Sequence, residues 1–81
     1  MSNPAEKIEA IFLDLMIEET GPVRKRTRAN CAHWDSLIQL GLISAIEQEF
    51  DVTISDEDAV DMSSFEAAET IVIEKLAKRN G

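Results

Sequence analysis

The chain has no tyrosine, one cysteine, three glycines and two prolines, and only 5% of its residues are aromatic. So few Gly and Pro argue against an all-β fold with many tight turns. The lone Cys31 excludes an intrachain disulfide and has no metal-binding partners at ligand spacing, so no metal site is expected. No apolar run approaches the ~20 residues that cross a bilayer, and no membrane span is expected. Met1 to Glu9 lack a basic stretch followed by an apolar one, so no signal peptide is expected and the cytoplasm is the default location. Between Asp35 and Glu74 there is no Lys or Arg, against eleven Asp and Glu.

What is present is acidic and aliphatic. Sixteen acidic and eight basic residues give a formal net charge of −8. That sign disfavours nucleic acid and anionic membranes and favours docking on basic protein surfaces, although the same excess also keeps a small protein soluble. At 81 residues the chain is one domain, 1–81. A domain of this size buries roughly 60–65% of the surface its unfolded chain exposes. Such a core is too small for a deep enclosed active site, which favours a binding or carrier module over an enzyme. A monomer is expected.

Hydrophobic spacing predicts helices. Asn3 fits an N-cap and Pro4 a first helical position, and Ile8, Ile11, Phe12 and Leu15 follow at helical intervals. The first helix is expected over about residues 4–18, stopped by Thr20-Gly21-Pro22. Residues 21–34 form a long connection holding Arg24, Lys25, Arg26 and Arg28, with Val23 and Ala29 as possible core contacts. The second helix starts at Asp35 or Ser36, with Asp35 as cap. Leu42, Ile46 and Phe50 share one face, and Leu37, Leu40, Gly41, Ser44 and Glu47 lie on another, so a docking surface is expected near the helix start. Ser55 caps a short acidic helix that Asp61-Met62-Ser63-Ser64 interrupts, and Ser63 with Glu66 fits a capping box. Phe65, Ala68, Val72 and Leu76 mark a last amphipathic helix, whose dipole Lys75, Lys78 and Arg79 complement. The expected fold is all-α: a small bundle of three main helices plus one short helix.

The chemistry centres on Trp34-Asp35-Ser36-Leu37. A serine at a helix start is ordinarily only a cap, but here Asp35 already supplies one. A group on Ser36 would project beside the Leu37–Leu40 face. A phosphate there would lie near the positive helix end and its free N–H groups.

Asp35-Ser36-Leu37, followed by Leu42-Ile43-Ser44-Ala45-Ile46-Glu47-Gln48-Glu49-Phe50-Asp51 and then Ile54-Ser55-Asp56-Glu57-Asp58-Ala59, resembles the acyl carrier protein family. The resemblance covers nearly the whole chain and is strongest from Trp34 to Ala68. It implies a non-catalytic carrier whose Ser36 receives a phosphopantetheine arm from coenzyme A through a phosphopantetheinyl transferase. The arm's thiol would hold acyl groups as thioesters for acyl-transferring, acyl-ligating or synthase enzymes in fatty acid, lipid or related acyl metabolism. Asp35 and Leu37 would flank the attachment point. Leu37, Leu40, Gly41, Ser44, Glu47, Asp56 and Glu57 would meet partners with basic docking surfaces, and Glu49 would add to the steering charge.

The sequence departs from common fatty-acid carriers at four positions. Trp34 stands where small residues are usual, Ile38 and Gly41 where acids are common, and Ser44 where a larger apolar residue is usual. Gly41 costs its helix ~0.5–1 kcal/mol relative to Ala and leaves room for close approach by a partner or the arm. These departures suggest a specialised carrier with a dedicated pathway. Two alternatives stay open, an unmodified acidic helical adaptor and a peptidyl or aminoacyl carrier, although Ala32-His33-Trp34 lacks the latter's glycine-rich approach. A hydrolase built on His33, Asp35 and Ser36 is disfavoured, since residues so close in sequence rarely reach triad geometry. The stretch from Asp51 lacks the Gly and the bidentate acid of a calcium loop. Trp34 reads as a half-buried loop anchor.

Overall fold

The computed structural model describes residues 3–17, 19 and 21–80, and leaves the side chains of residues 79 and 80 undescribed. Among the described residues four α-helices follow in chain order: α1 (Pro4–Leu15), α2 (Ser36–Phe50), α3 (Asp56–Asp61) and α4 (Phe65–Asn80). A short 3-10 turn, Val23–Lys25, lies in the first connection. There is no strand among the described residues; Thr27 and Ser64 form an isolated antiparallel bridge. The all-α architecture of three longer helices and one short one therefore stands.

Each helix start has a local cause. Asn3 accepts the Glu6 N–H at 2.9 Å, and Pro4 opens α1. Ser55 accepts the Asp58 N–H at 3.1 Å for α3. At α4 the capping oxygen belongs to Ser64, which accepts the Ala67 N–H at 3.0 Å. The expected cap, Ser63, is instead drawn into the loop pairing, where its carbonyl accepts the Arg28 N–H.

Helix α1 ends at Leu15, earlier than its spacing predicts. Met16 leaves helical dihedrals (φ −119°, ψ 54°) and places its side chain in the core. Glu18 and Thr20, on which the expected helix end falls, lie outside the described residues, as do Gly81 and the side chain of Arg79.

α1 packs against α2 and α4, and α2 against α4. Ile8 and Phe12 of α1, Leu42, Ile46 and Phe50 of α2, and Phe65, Ala68 and Val72 of α4 are buried, as the helical spacing predicts. Phe12 sits at the centre, edge-on to Trp34 (centroids 5.3 Å apart) and to Phe65 (5.1 Å). Side chains of this size stabilise by about 1.5–3 kcal/mol each when fully buried. Trp34 is 3% exposed, so it is a core residue and not a half-buried anchor.

The long connection is laid along the α3–α4 junction. Phe65 donates its N–H to the Arg26 carbonyl and Arg28 donates to Ser63, both at 2.9 Å. The basic cluster is dispersed by this path. Arg24 bonds Glu9 at 3.0 Å and lies over the Phe65 ring. Arg26 is buried and donates to the carbonyls of Glu19 and Gly21. Arg28 remains exposed. Val23 packs on the core, whereas Ala29 is exposed.

Lys75 of α4 reaches Asp58 of α3 at 2.7 Å, and its ammonium holds the Asp58 carboxyl below the ordinary range, helped by Ser55. A lowered folded-state value means the unfolded chain binds more protons, so this contribution is full above the unfolded value and fades as pH falls through the folded one. Asp58→Asn is accordingly expected to lower the urea midpoint at neutral pH. The gap to the parent protein should close as the solution is acidified through the carboxylate range. A gap that is constant with pH would mean that the ion pair contributes nothing.

Candidate functional site

The site is built outward from Trp34. Its buried indole N–H needs an acceptor and finds Gln39 Oε1 at 2.6 Å, one helical turn into α2. This bond and the Phe12 contact fix the chain just before the helix. Asp35 then takes extended dihedrals (φ −103°, ψ −169°), and its Oδ1 accepts the Ile38 N–H at 3.0 Å. Its own carbonyl accepts the Gln39 N–H at 2.9 Å. With the cap supplied by Asp35, Ser36 opens α2 as an exposed residue, and its hydroxyl makes no hydrogen bond among the described residues.

Two open grooves flank this point. One, about 330 Å³, lies between α2 and α3 and is lined by Ser36, Gln39, Leu40 and Ile43, by Ala59 and Val60, and by Arg28 from the connection. The other, about 310 Å³, lies between α1 and α2 and is lined by Leu15, Met16, Ile17, His33, Asp35, Leu37 and Ile38. Their charges differ. The α2–α3 groove has one charged lining residue, the cation Arg28. The other carries the Asp35 carboxylate and the imidazole of His33. An anion on Ser36 is therefore favoured towards the Arg28 side.

Of the residues expected to act together, Ser36 and Leu40 share the α2–α3 groove, while Asp35 and Leu37 line its neighbour. Leu37 (77% exposed) and Leu40 (65%) stand out from α2, joined by Val60 (79%) from α3. Ser44, Asp56 and Glu57 are exposed further along. Gly41 and Glu47 have intramolecular neighbours. A Cβ on Gly41 would lie 3.4 Å from Leu15 Cδ2, so its close neighbour is α1. The Glu47 carboxylate accepts the Ile54 N–H at 2.9 Å and so fastens the link after α2.

Gln39, Arg28 and Val60 were not legible as site residues. Gln39 did leave a signal: it is the polar position on the stripe that continues to Leu42, Ile46 and Phe50. The placement of Arg28 depends on the path of the loop, for which spacing offers none.

His33 pairs with Glu19. Its Nδ1 lies 2.6 Å from Glu19 Oε2, which also accepts the His33 backbone N–H at 3.1 Å. These bonds hold the Glu19 carboxyl below the ordinary range. Burial pushes the Cys31 thiol up, and its Sγ donates to Asn30 Oδ1 at 3.2 Å. Among the described residues no three His, Cys, Asp or Glu gather to hold a metal ion, and no helix is long and apolar enough to cross a membrane. No family model matches the chain.

The division of labour between Asp35 and Ser36 can be checked by paired substitutions. Asp35→Ala is expected to cost about 1 kcal/mol of unfolding free energy through the lost cap. Ser36→Ala, which removes an unbonded exposed hydroxyl, is expected to stay within about 0.5 kcal/mol of the parent. Urea unfolding of the two variants measures both, and equal costs would show that Ser36 shares the capping.

Proposed function

We propose that this chain is an acyl carrier protein with Ser36 as the attachment point of a phosphopantetheine arm. The observation that carries the reading is the exposed, unbonded Ser36 hydroxyl at the first turn of α2, relieved of capping by Asp35 and opening onto an apolar groove. The sequence resemblance from Trp34 to Ala68 and the all-α fold agree with it.

The residues present fit such an arm. Ser36 Oγ would form the phosphodiester. The first-turn N–H groups of α2 and the Arg28 guanidinium offer positive potential to the phosphate. Leu40, Ile43 and Val60 offer apolar contact to the arm's hydrocarbon parts. When bound, the arm supplies the thiol that holds an acyl group as a thioester. In the attachment reaction the Ser36 hydroxyl loses its proton to the transferase or to water. Its oxygen bonds the phosphorus next to the pantetheine of coenzyme A. The pyrophosphate linkage breaks, and the adenosine bisphosphate portion leaves with the bond electrons. The chain itself does no bond chemistry on the acyl group.

Docking partners would meet an apolar centre at Leu37, Leu40 and Val60 with acids beyond it at Asp56 and Glu57. That arrangement fits acyl-handling enzymes that combine an apolar contact with basic residues.

Intact mass before and after incubation with coenzyme A and a broad-specificity phosphopantetheinyl transferase tests the reading. The expected result is a gain of one phosphopantetheinyl group that Ser36→Ala abolishes. A folded protein that gains nothing, and that also lacks the arm when isolated from its host, would give first place to an unmodified acidic adaptor.

A further inference from the structure

One buried side chain, Gln39, hydrogen-bonds across the seam between α2 and the end of α3. Gln39 is 9% exposed and uses both ends of its amide. Its Nε2 donates to the carbonyls of Ala59 (2.9 Å), which also accepts the Met62 N–H, and of Met62 (3.0 Å), the residue that caps the C-terminal end of α3. Its Oε1 accepts the Trp34 indole N–H. The floor of the groove beside Ser36 is therefore a saturated polar clamp, backed by the Trp34–Phe12–Phe65 aromatic contacts.

An apolar chain entering the core from this groove must part α3 from α2. That movement breaks both bonds of the Gln39 Nε2 and leaves it and the Met62 carbonyl without these partners in apolar surroundings, while the Ala59 carbonyl keeps the Met62 N–H and the Trp34 indole keeps Gln39 Oε1. The α2–α3 groove itself, about 330 Å³, is at the lower end of the ~300–1,000 Å³ of small-molecule sites, and a pantetheine arm alone is a molecule of that class.

Resting on the carrier reading above, we infer that this protein carries its acyl groups outside its core, and that Gln39 is the residue that bars apolar chains from entering. The cargo stays at the end of the arm, in the surface groove or in solvent, and the interior responds equally to every chain length.

The test loads Ser36 with acetyl-, octanoyl- or palmitoyl-phosphopantetheine from the corresponding coenzyme A thioesters, with loading verified first by intact mass. Two readouts follow: the methyl resonances of the core residues Leu42, Ile46 and Val72, and the rate at which hydroxylamine cleaves the thioester. The expected result is that methyl shifts and cleavage rates are alike for the three cargoes. Core shifts that grow with chain length, with cleavage about tenfold slower for a chain hidden nine-tenths of the time, would overturn the inference and leave the carrier reading intact. Gln39→Met keeps the bulk and removes the amide, and it is expected to acquire that chain-length dependence. A folded Gln39→Met protein that behaves like the parent would overturn the role given to Gln39. Should this variant not fold, the parent series decides on its own. Failure to load Ser36 at all would defeat the carrier reading and this inference together, and the mass measurement separates that case from the others.

Discussion

A buried indole must bond its N–H, and in this protein that requirement organises everything near Ser36. Trp34 is placed in the core beside Phe12, and its indole N–H is satisfied by the amide of Gln39 on α2. The bond fixes the distance between the end of the connection and the second turn of α2. Asp35 then has little choice but to sit at the cap, and Ser36 to open the helix. The same amide turns its other end to α3, so a single side chain joins the loop, α2 and α3. Such shared networks lose more on deletion than pairwise sums suggest, because each member leaves others unpaired.

The connection between α1 and α2 looks like a liability for so small a domain, yet it is tied down along most of its course. Arg26 is buried and bonds the carbonyls of Glu19 and Gly21, and the backbone from Arg26 to Arg28 pairs with Ser63 to Phe65. One guanidinium nitrogen, Nη1, is buried and has no hydrogen-bond partner among the described residues. A dense basic run in sequence thus becomes three separate roles in space: a surface ion pair for Arg24, an internal brace for Arg26, and an exposed cation beside Ser36 for Arg28.

Helix identity and the core stripe were readable because they follow from spacing and capping chemistry alone. Asn3, Asp35 and Ser55 cap as their side chains and positions predict, and Leu42, Ile46 and Phe50 face inward. The failures share one physical origin, which is tertiary competition for a local group. Ser63 is the expected cap until the loop pairs with its carbonyl and Ser64 takes the role. Met16 continues the helical pattern of α1 until the core takes its side chain. Trp34 can be read as surface or core until Phe12 and Gln39 are placed around it. The exposed serine and the two leucines of the candidate site were legible, whereas its groove was not, since Arg28, Ala59 and Val60 arrive from elements far apart in sequence.

The charge pattern gains meaning only with the fold. From Ser36 to Ile46 α2 carries no charged residue. The acids that follow on α2 are engaged, Glu47 with the Ile54 N–H and Glu49 with Lys7. Those of α3 divide, since Asp58 is held by Lys75 while Asp56 and Glu57 stay exposed. On the carrier reading, a partner reaching for Ser36 meets Asp35 and Arg28 at the helix start, then the uncharged face of α2, with the exposed acids of α3 at its margin. Charge at a margin steers encounter and is screened by salt, whereas apolar contact at the centre sets the lifetime of the complex. A carrier arranged this way would dock with an affinity that truncation of Leu37 or Leu40 changes much. This would separate its partners from enzymes whose basic patches expect an acidic second helix.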